Sequence, residues 1–246
     1  MTAVRRGARP RAIFFDMDDT LISAYGRPEE AWSRTVAAYG DLPTGLDRST
    51  LVATVLQAAR DFWADPVDHR HWRQNLFEAR RIVVRRAFSA LGHAEPDMAD
   101  RLADHFSRTR EAEYRLFPGA HETLERLRAE GFRLALVTNG AAAPQRAKIE
   151  RFALAPRFDH VLIEGELGYG KPEPQVYSEL LRRCEVGAEE AWIVGDNLEW
   201  EVAAPKRHGI GTVWADMHKV GLPDNRPADP DHVITNLPEL LARLGL

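Results

Sequence analysis

Short, continuous apolar runs alternate with longer segments of helical periodicity along most of the chain. Continuous apolar runs are typical of strands in a parallel sheet, because helices cover such a sheet on both faces. The alternation therefore predicts an α/β fold with an open parallel sheet and right-handed crossovers. The predicted strands are residues 13–15, 132–137, 160–163, 191–194, 211–215 and 232–234.

One long segment interrupts this alternation. Residues 23–114 contain no convincing strand, and their apolar residues recur at helical spacing. One stripe predicts a single helix over residues 68–91 that ends at Gly92. We therefore predict a core domain of residues 1–22 and 115–246 and an all-helical cap domain of residues 23–114. Because the insert leaves the sheet directly after the first strand, we expect it to lie over that edge as a lid.

Composition narrows the class of protein. The 246 residues are 44% hydrophobic and 28% charged, as in an ordinary globular domain. The net charge of −4 gives no reason to expect a nucleic-acid partner, and the single cysteine excludes an intramolecular disulfide. No apolar stretch suggests a membrane span, and the basic residues 1–11 read as a solvated tail instead of a signal peptide. We expect a cytoplasmic protein without membrane partners, either monomer or homodimer.

Three carboxylates follow the first predicted strand. Asp16 and Asp18 lie two residues apart, so an extended backbone points both the same way. Neighbouring carboxylates repel each other unless a cation, a proton or a ligand separates them. This suggests one carboxylate as nucleophile and one as acid/base, with a hard divalent metal between them. The alternative is a surface cluster that caps the following helix, and we assign Asp19 to such turn chemistry.

Other polar residues follow the later strands, and ligands of open α/β sheets bind beyond the carboxyl ends of strands. Thr138 offers a hydroxyl, and the main-chain N–H groups of Asn139 and Gly140 are expected to face an anion. Lys171 supplies a cation from a loop rich in glycine and proline. Asp196 is expected to pair with the first carboxylate across neighbouring strands. Oxygen ligands without His or Cys favour Mg²⁺.

These stretches together resemble the four motifs of the haloacid dehalogenase-like (HAD) hydrolase superfamily. The resemblance extends from Ala12 to about Ala215, and it implies a Rossmannoid core with strand order 5-4-1-2-3 and a helical cap of the superfamily's first class. The matching stretches are Asp16-Met17-Asp18-Asp19-Thr20, Val137-Thr138-Asn139-Gly140, Gly170-Lys171-Pro172-Glu173-Pro174-Gln175-Val176-Tyr177, and Val194-Gly195-Asp196 with an acid at Glu201.

The resemblance implies a mechanism as well as a fold. Asp16 would attack phosphorus and form an aspartyl-phosphate, and Asp18 would protonate the leaving oxygen and then deprotonate the attacking water. Mg²⁺ would be bound by the side chains of Asp16 and Asp196 and by the main-chain carbonyl of Asp18. Thr138, Asn139 and Lys171 would hold the phosphoryl oxygens, and Lys171 would also keep the nucleophile ionised.

Two questions stay open in this comparison. The acid of the last motif is often Asp in the superfamily and is Glu201 here, so we assign it to the metal through a bound water or to the orientation of Lys171. The cap would select the leaving group. A basic stripe in it is either a site for an anionic metabolite or, as we favour, a solvated helix face. The stripe consists of Arg80, Arg81, Arg85 and Arg86.

The sequence thus predicts a Mg²⁺-dependent phosphomonoester hydrolase that acts on a small phosphorylated metabolite. A 2-haloacid dehalogenase is an alternative on the same fold. Asp18 speaks against it, because carbon–halogen cleavage needs no general acid and that branch lacks the second aspartate. A phosphomutase is a further alternative that no feature of the sequence favours, and intact acids and lysine speak against a non-catalytic phosphate-binding module.

Overall fold

A computed structural model describes residues 9–93 and 95–246, with the side chains of residues 66–68 excepted. Most of the predicted N-terminal tail lies outside this range. The chain divides into two compact units. One comprises the chain up to Ser23 together with Arg115–Leu246, and the other is Ala24–Tyr114. None of the described helices combines the length and apolar composition that a membrane crossing requires.

Strands occur in the first unit. Each of the six predicted apolar runs forms a strand. Two further strands of two residues pair antiparallel at the ends of the insert, and they are too short for periodicity to predict. The strands are β1 (Ala12–Phe15), β2 (Ile22–Ser23), β3 (Arg115–Leu116), β4 (Arg133–Thr138), β5 (His160–Ile163), β6 (Ala191–Gly195), β7 (Gly211–Ala215) and β8 (His232–Ile234).

The main sheet has six parallel strands in the order β5-β4-β1-β6-β7-β8. This confirms the expected 5-4-1-2-3 order and adds β8 at the edge. Strand β1 is fully buried and lies between β4 and β6. Phe15 pairs with Leu136 on one side and with Val194 on the other. The residues that follow these three strands therefore meet at one edge of the sheet.

Helices of the first unit connect these strands. Between β6 and β7 a π-helical segment, Leu198–Ala203, continues into an α-helix, and a short helix follows β5 directly. The helix of residues Ala142–Arg151 buries Gln145, Lys148 and Ile149. The helices after the insert are α6 (Ala120–Ala129), α7 (Ala142–Arg151), α8 (Glu164–Leu167), α9 (Pro174–Cys184), α10 (Ala204–Arg207) and α11 (Pro238–Arg243).

The insert is helical in its described part and has its own apolar core. Trp32 and Phe106 stack at its centre with ring centroids 3.7 Å apart, which joins its first helix to its last. Asp47 caps the second helix by accepting from the Thr50 N–H. The five helices are α1 (Pro28–Ala38), α2 (Arg48–Trp63), α3 (Pro66–Trp72), α4 (Leu76–Ala90) and α5 (Pro96–Glu113).

The prediction of one helix over residues 68–91 is wrong, because this segment forms two helices, α3 and α4, with non-helical residues between them. Asn75 has a non-helical backbone, and its side chain accepts from the Glu78 N–H. A capping asparagine satisfies a donor that a new helix would leave unpaired, so it favours a fresh start over continuation.

The basic stripe of α4 consists of partnered side chains. Two of its arginines form paired hydrogen bonds with acids of α5, Arg81 with Asp104 and Arg85 with Asp100. The other two lie over aromatic rings, Arg80 over Phe106 and Arg86 over Phe62. These contacts stabilise the packing of the helices, so the stripe is no open anion site in this structure.

Candidate active site

Asp16 is the first residue after β1, and the neighbouring strands fix its position. Its N–H continues the ladder by donating to the Val194 carbonyl oxygen at 2.9 Å. Its side chain is largely buried, with Oδ1 accepting from Lys171 Nζ at 2.5 Å and Oδ2 accepting from Thr20 Oγ1 at 3.2 Å. Burial raises the pKa of Asp16, and the charge of Lys171 acts against that rise.

Lys171 is the buried cation of the site, with a side chain that has no solvent exposure. Besides contacting Asp16, its Nζ lies 2.7 Å from Glu201 Oε1 and donates to the Val137 carbonyl oxygen at 3.1 Å. Burial alone would lower the pKa of Lys171. The two carboxylates outweigh burial and raise it above its ordinary value. Lys171 is therefore a permanent positive charge between two acids.

Glu201 is also fully buried, and the structure places it against Lys171. Its Oε2 accepts from the Asn197 N–H at 2.8 Å, which fixes the carboxylate from the start of the π-helical segment. Burial raises the pKa of Glu201 to about 7, with Lys171 opposing the rise. Orientation of Lys171 was one of its two predicted roles, and its assignment to a metal remains a prediction.

Gly195 gives Glu201 its space at the end of β6. A Cβ at this position would lie 2.0 Å from Glu201 Cγ. We expect Gly195→Ala to displace Glu201 and to lower the free energy of unfolding by about 1–3 kcal/mol, as overpacking does. Urea denaturation monitored by circular dichroism measures this change. Gly40→Ala is the matched control, because a Cβ there meets no atom within 4 Å; equal stability of the two variants would contradict the packing argument.

Asn139 holds the loop that carries Lys171. Its Nδ2 donates to the Lys171 carbonyl oxygen at 2.7 Å, and its Oδ1 accepts from the Lys171 N–H at 2.9 Å. The amide thus pairs with both polar main-chain atoms of one residue. Gly170 permits this approach, since a Cβ there would lie 2.6 Å from Asn139 Oδ1.

Gly140 differs from its predicted role. Its N–H was expected to face an anionic ligand, but it donates to Glu164 Oε2 at 2.8 Å. Glu164 is a buried carboxylate at the start of α8 that the sequence analysis did not single out. The Gly140 N–H therefore joins the loop after β4 to the start of α8, and the Glu164 carboxylate takes the place of the expected ligand.

Asp18 pairs with a different lysine from the one that contacts Asp16. Its Oδ1 and Oδ2 accept from Lys148 Nζ at 2.6 and 2.5 Å, and Oδ2 also accepts from Gln145 Nε2 at 3.1 Å. The same Gln145 nitrogen contacts Thr138 Oγ1 and the Asn139 carbonyl oxygen. Sequence reasoning found Asp18 and Thr138 but missed Gln145 and Lys148, whose signal was two polar residues three apart on the inward face of a helix.

Asp196 follows β6 beside Asp16, and its main-chain carbonyl accepts from Trp214 Nε1 at 2.6 Å. Crowding by surrounding protein atoms and the charges of Asp16 and Glu201 raise its pKa. The residue as a whole is exposed to solvent. Asp19 adds negative charge nearby, and it has a left-handed backbone with its Oδ1 3.1 Å from His218 Nε2.

These acids fit a hydrated magnesium ion. Among the described residues, no group of three or more His, Cys, Asp or Glu side chains is arranged to hold a metal. Mg²⁺, however, commonly binds through one or two carboxylates and keeps several waters. A buried carboxylate beside a solvent-open one, both with raised pKa values, supplies hard oxygen donors whose mutual repulsion a divalent cation would offset.

Solved structures share this fold. A protein of Bacillus subtilis, described as a HAD-hydrolase and bound to magnesium, superposes with a TM-score of 0.74 over 97% of this chain and 100% of its own, at 21% identity. At that identity the likeness shows the fold alone.

Curated relatives carry the comparison further. Glyceraldehyde 3-phosphate phosphatase of Pyrococcus furiosus is 30% identical over 95% of this chain and 92% of its own length. Phosphoserine phosphatase of Thermus thermophilus is 38% identical over 72% of this chain, which spans 65% of that relative's length. The family sequence model of the haloacid dehalogenase-like hydrolases matches residues 10–209 of this chain. Both relatives are phosphatases by name, and the chain is thus a hydrolase that belongs to the haloacid dehalogenase-like family.

Proposed function

We propose that this hydrolase is a Mg²⁺-dependent phosphomonoesterase that acts on a small phosphorylated metabolite through an aspartyl-phosphate on Asp16. The observation that carries the proposal is the contact between the fully buried Lys171 and Asp16 at the carboxyl end of the central strand. Burial disfavours an ionised nucleophile, and a buried permanent cation at 2.5 Å favours it. An ionised carboxylate with a second carboxyl two residues away suits attack followed by proton transfer.

The proposed reaction has two steps. An oxygen of Asp16 bonds to phosphorus, the bond from phosphorus to the leaving oxygen breaks, and Asp18 transfers its proton to that oxygen. Water then attacks phosphorus and Asp18 takes up the proton of that water. The bond from phosphorus to Asp16 breaks, which releases phosphate and restores both carboxyl groups to their first state.

Phosphoryl oxygens need donors that do not move during the reaction. The Thr138 hydroxyl accepts from Gln145 Nε2, so its own proton is available to a ligand. The Lys171 charge next to the nucleophile offsets the charge that develops on the phosphoryl group. We assign Asn139 a supporting part here, because it holds the main chain of Lys171.

Magnesium would be held by the side chains of Asp16 and Asp196 and by the main-chain carbonyl of Asp18, with Glu201 acting on it through water or on Lys171. When bound, it would supply positive charge that neutralises the acids and the phosphoryl group. The raised pKa values of Asp16 and Asp196 support this assignment, since both carboxylates lie in surroundings that disfavour their charge.

Phosphate release from a panel of phosphomonoesters tests the proposal. The panel begins with phosphoserine and glyceraldehyde 3-phosphate, after which two relatives are named. We expect turnover with Mg²⁺, a loss of about 100-fold or more on chelation with EDTA, and recovery when excess Mg²⁺ is returned. Halide release from a 2-haloacid in EDTA, without phosphate release from any ester, would identify a dehalogenase and overturn the proposal.

A further inference from the structure

We infer that Lys148 is a positioning residue that holds the carboxylate of Asp18 in line for proton transfer to the leaving group. This inference rests on the proposed function. It assigns the two buried lysines to different steps, with Lys171 serving the nucleophile and Lys148 serving the acid/base.

Lys148 contacts Asp18 with both carboxylate oxygens engaged. Its Nζ donates to both carboxylate oxygens, at 2.6 and 2.5 Å. The side chains are largely buried, with 6% of Lys148 and 15% of Asp18 exposed. One ammonium bridging both oxygens fixes the plane of the carboxylate as well as its position. A lysine buried to this degree gives up hydration that the charges of a surface ion pair keep.

Helix α7 presents this lysine together with a second donor. Gln145 and Lys148 lie three residues apart, so they occupy one face of the helix, and both are buried there. Gln145 Nε2 has two protons and contacts three acceptors, namely Asp18 Oδ2, Thr138 Oγ1 and the Asn139 carbonyl oxygen. The amide therefore links the acid/base of one motif to the hydroxyl of another.

This geometry separates a positioning role from direct contact with phosphate. Lys148 donates to both oxygens of Asp18, whereas Gln145 donates to Oδ2 alone, so removal of Lys148 leaves the carboxylate held by α7 at one oxygen and able to rotate about it. The nucleophile keeps its own cation, since Lys171 contacts Asp16 from the loop between α8 and α9. Loss of Lys148 should therefore impair protonation of the leaving group and spare attack on phosphorus.

Leaving groups of different basicity reveal this difference. An alkyl phosphomonoester needs its leaving oxygen protonated, whereas 4-nitrophenyl phosphate leaves readily without a proton. For Lys148→Met we expect kcat/KM to fall about 100-fold with the alkyl ester, the lower range for a general acid, and less than about fivefold with the aryl ester. Equal losses with both esters, or no loss with either, would overturn the inference.

Three variants complete the comparison. Arg146→Met removes an exposed cation of the same helix, which pairs with Glu166, and should leave both values of kcat/KM unchanged. Lys148→Arg keeps a charged donor and should restore the alkyl-to-aryl ratio to within about threefold of the parent protein. Gln145→Leu should shift that ratio in the same direction as Lys148→Met. If Lys148→Met does not fold, the last two variants decide the question, and an unchanged ratio in Gln145→Leu counts against it.

A second measurement needs no turnover and therefore separates this inference from the proposed function. Acetylation of lysines by an N-hydroxysuccinimide ester is followed by mass spectrometry in the parent protein and in Asp18→Asn. We expect Lys148 to react at least about five times faster in Asp18→Asn, because the shielding ion pair is lost. Lys206, paired with Asp231, provides the internal reference. Equal rates for Lys148 in both proteins would show that the pair does not form.

Discussion

Replacing Asp16 with asparagine will reduce phosphate release by about ten-thousand-fold or more with every substrate, as loss of a covalent nucleophile does. Asparagine has nearly the same shape, so the strand and its ladder contact with Val194 should remain. The change removes the attacking charge. Of the two carboxylates that flank Lys171, only that of Glu201 then remains. Steady-state assays at saturating Mg²⁺ measure the loss in kcat, with circular dichroism to verify the fold.

Asp19→Asn is the matched control for that experiment. It removes the same charge three residues away, and asparagine tolerates the left-handed backbone that Asp19 adopts at φ 58°. We expect its kcat to stay within about threefold of the parent protein. An Asp16→Asn preparation that keeps substantial activity, with its intact mass showing no return to aspartate, would disprove the assignment of the nucleophile.

Replacing Lys171 with methionine is expected to cost both activity and stability. The variant leaves two buried carboxylates without their shared cation, and breaking a buried ion pair from one side typically costs about 3–5 kcal/mol. Methionine keeps the length of the buried chain, so the loss reports charge more than volume. Urea denaturation in EDTA measures the free energy of unfolding, and we expect kcat to fall about a thousandfold through loss of electrostatic stabilisation.

The stability loss in Lys171→Met depends on pH in a defined direction. Burial raises the pKa of Glu201 to about 7 and also raises that of Asp16, so the folded state binds their protons more tightly than the unfolded chain. Such groups favour the folded state at low pH, and that contribution disappears as pH rises through the folded pKa. Lys171→Met removes the charge that opposes this rise, so both carboxyl groups should bind their protons more tightly still in the folded variant. The difference in the free energy of unfolding between variant and parent protein should therefore be larger at pH 8 than at pH 5.

Glu201→Gln provides the partner for a double-mutant cycle. Added to Lys171→Met, it removes one of the unpaired charges, and we expect it to recover part of the lost stability at pH 8. Added to the parent protein alone, the same change deprives Lys171 of a partner and should destabilise. Additive effects of the two substitutions would contradict the ion pair.

The sequence was sufficient for those parts of the site that follow strands. Asp16, Thr138 and Asp196 each come directly after a short apolar run, and parallel strands bring their carboxyl ends to one edge. The order of the strands came from the resemblance to a family, because apolar runs alone do not state which strand lies beside which. Lys171 lies on a loop, and only the motif around it indicated that its side chain would be buried.

Features that depend on contacts between particular side chains could not be predicted from the hydrophobic pattern of the sequence. The apolar stripe through Trp72, Leu76 and Ala79 continues across the break in the insert, so periodicity could not reveal the cap at Asn75. Lys148 resembles any surface lysine in a short polar helix, and nothing local states that Asp18, 130 residues away in the chain, will accept from it. Contacts of this kind depend on how the folded chain packs, and inspection of a single sequence does not reveal that packing.

The amide of Asn139 holds the main chain of Lys171 through contacts that do not involve the lysine side chain. It pairs with the N–H and the carbonyl oxygen of residue 171, groups that every amino acid except proline possesses. An aspartate at 139 would lack the donor, and a shorter serine would lack the reach. The two hydrogen bonds can therefore persist when another side chain of similar size replaces the fully buried lysine, so position 171 allows different chemical groups to be placed next to Asp16 without a change in the main chain.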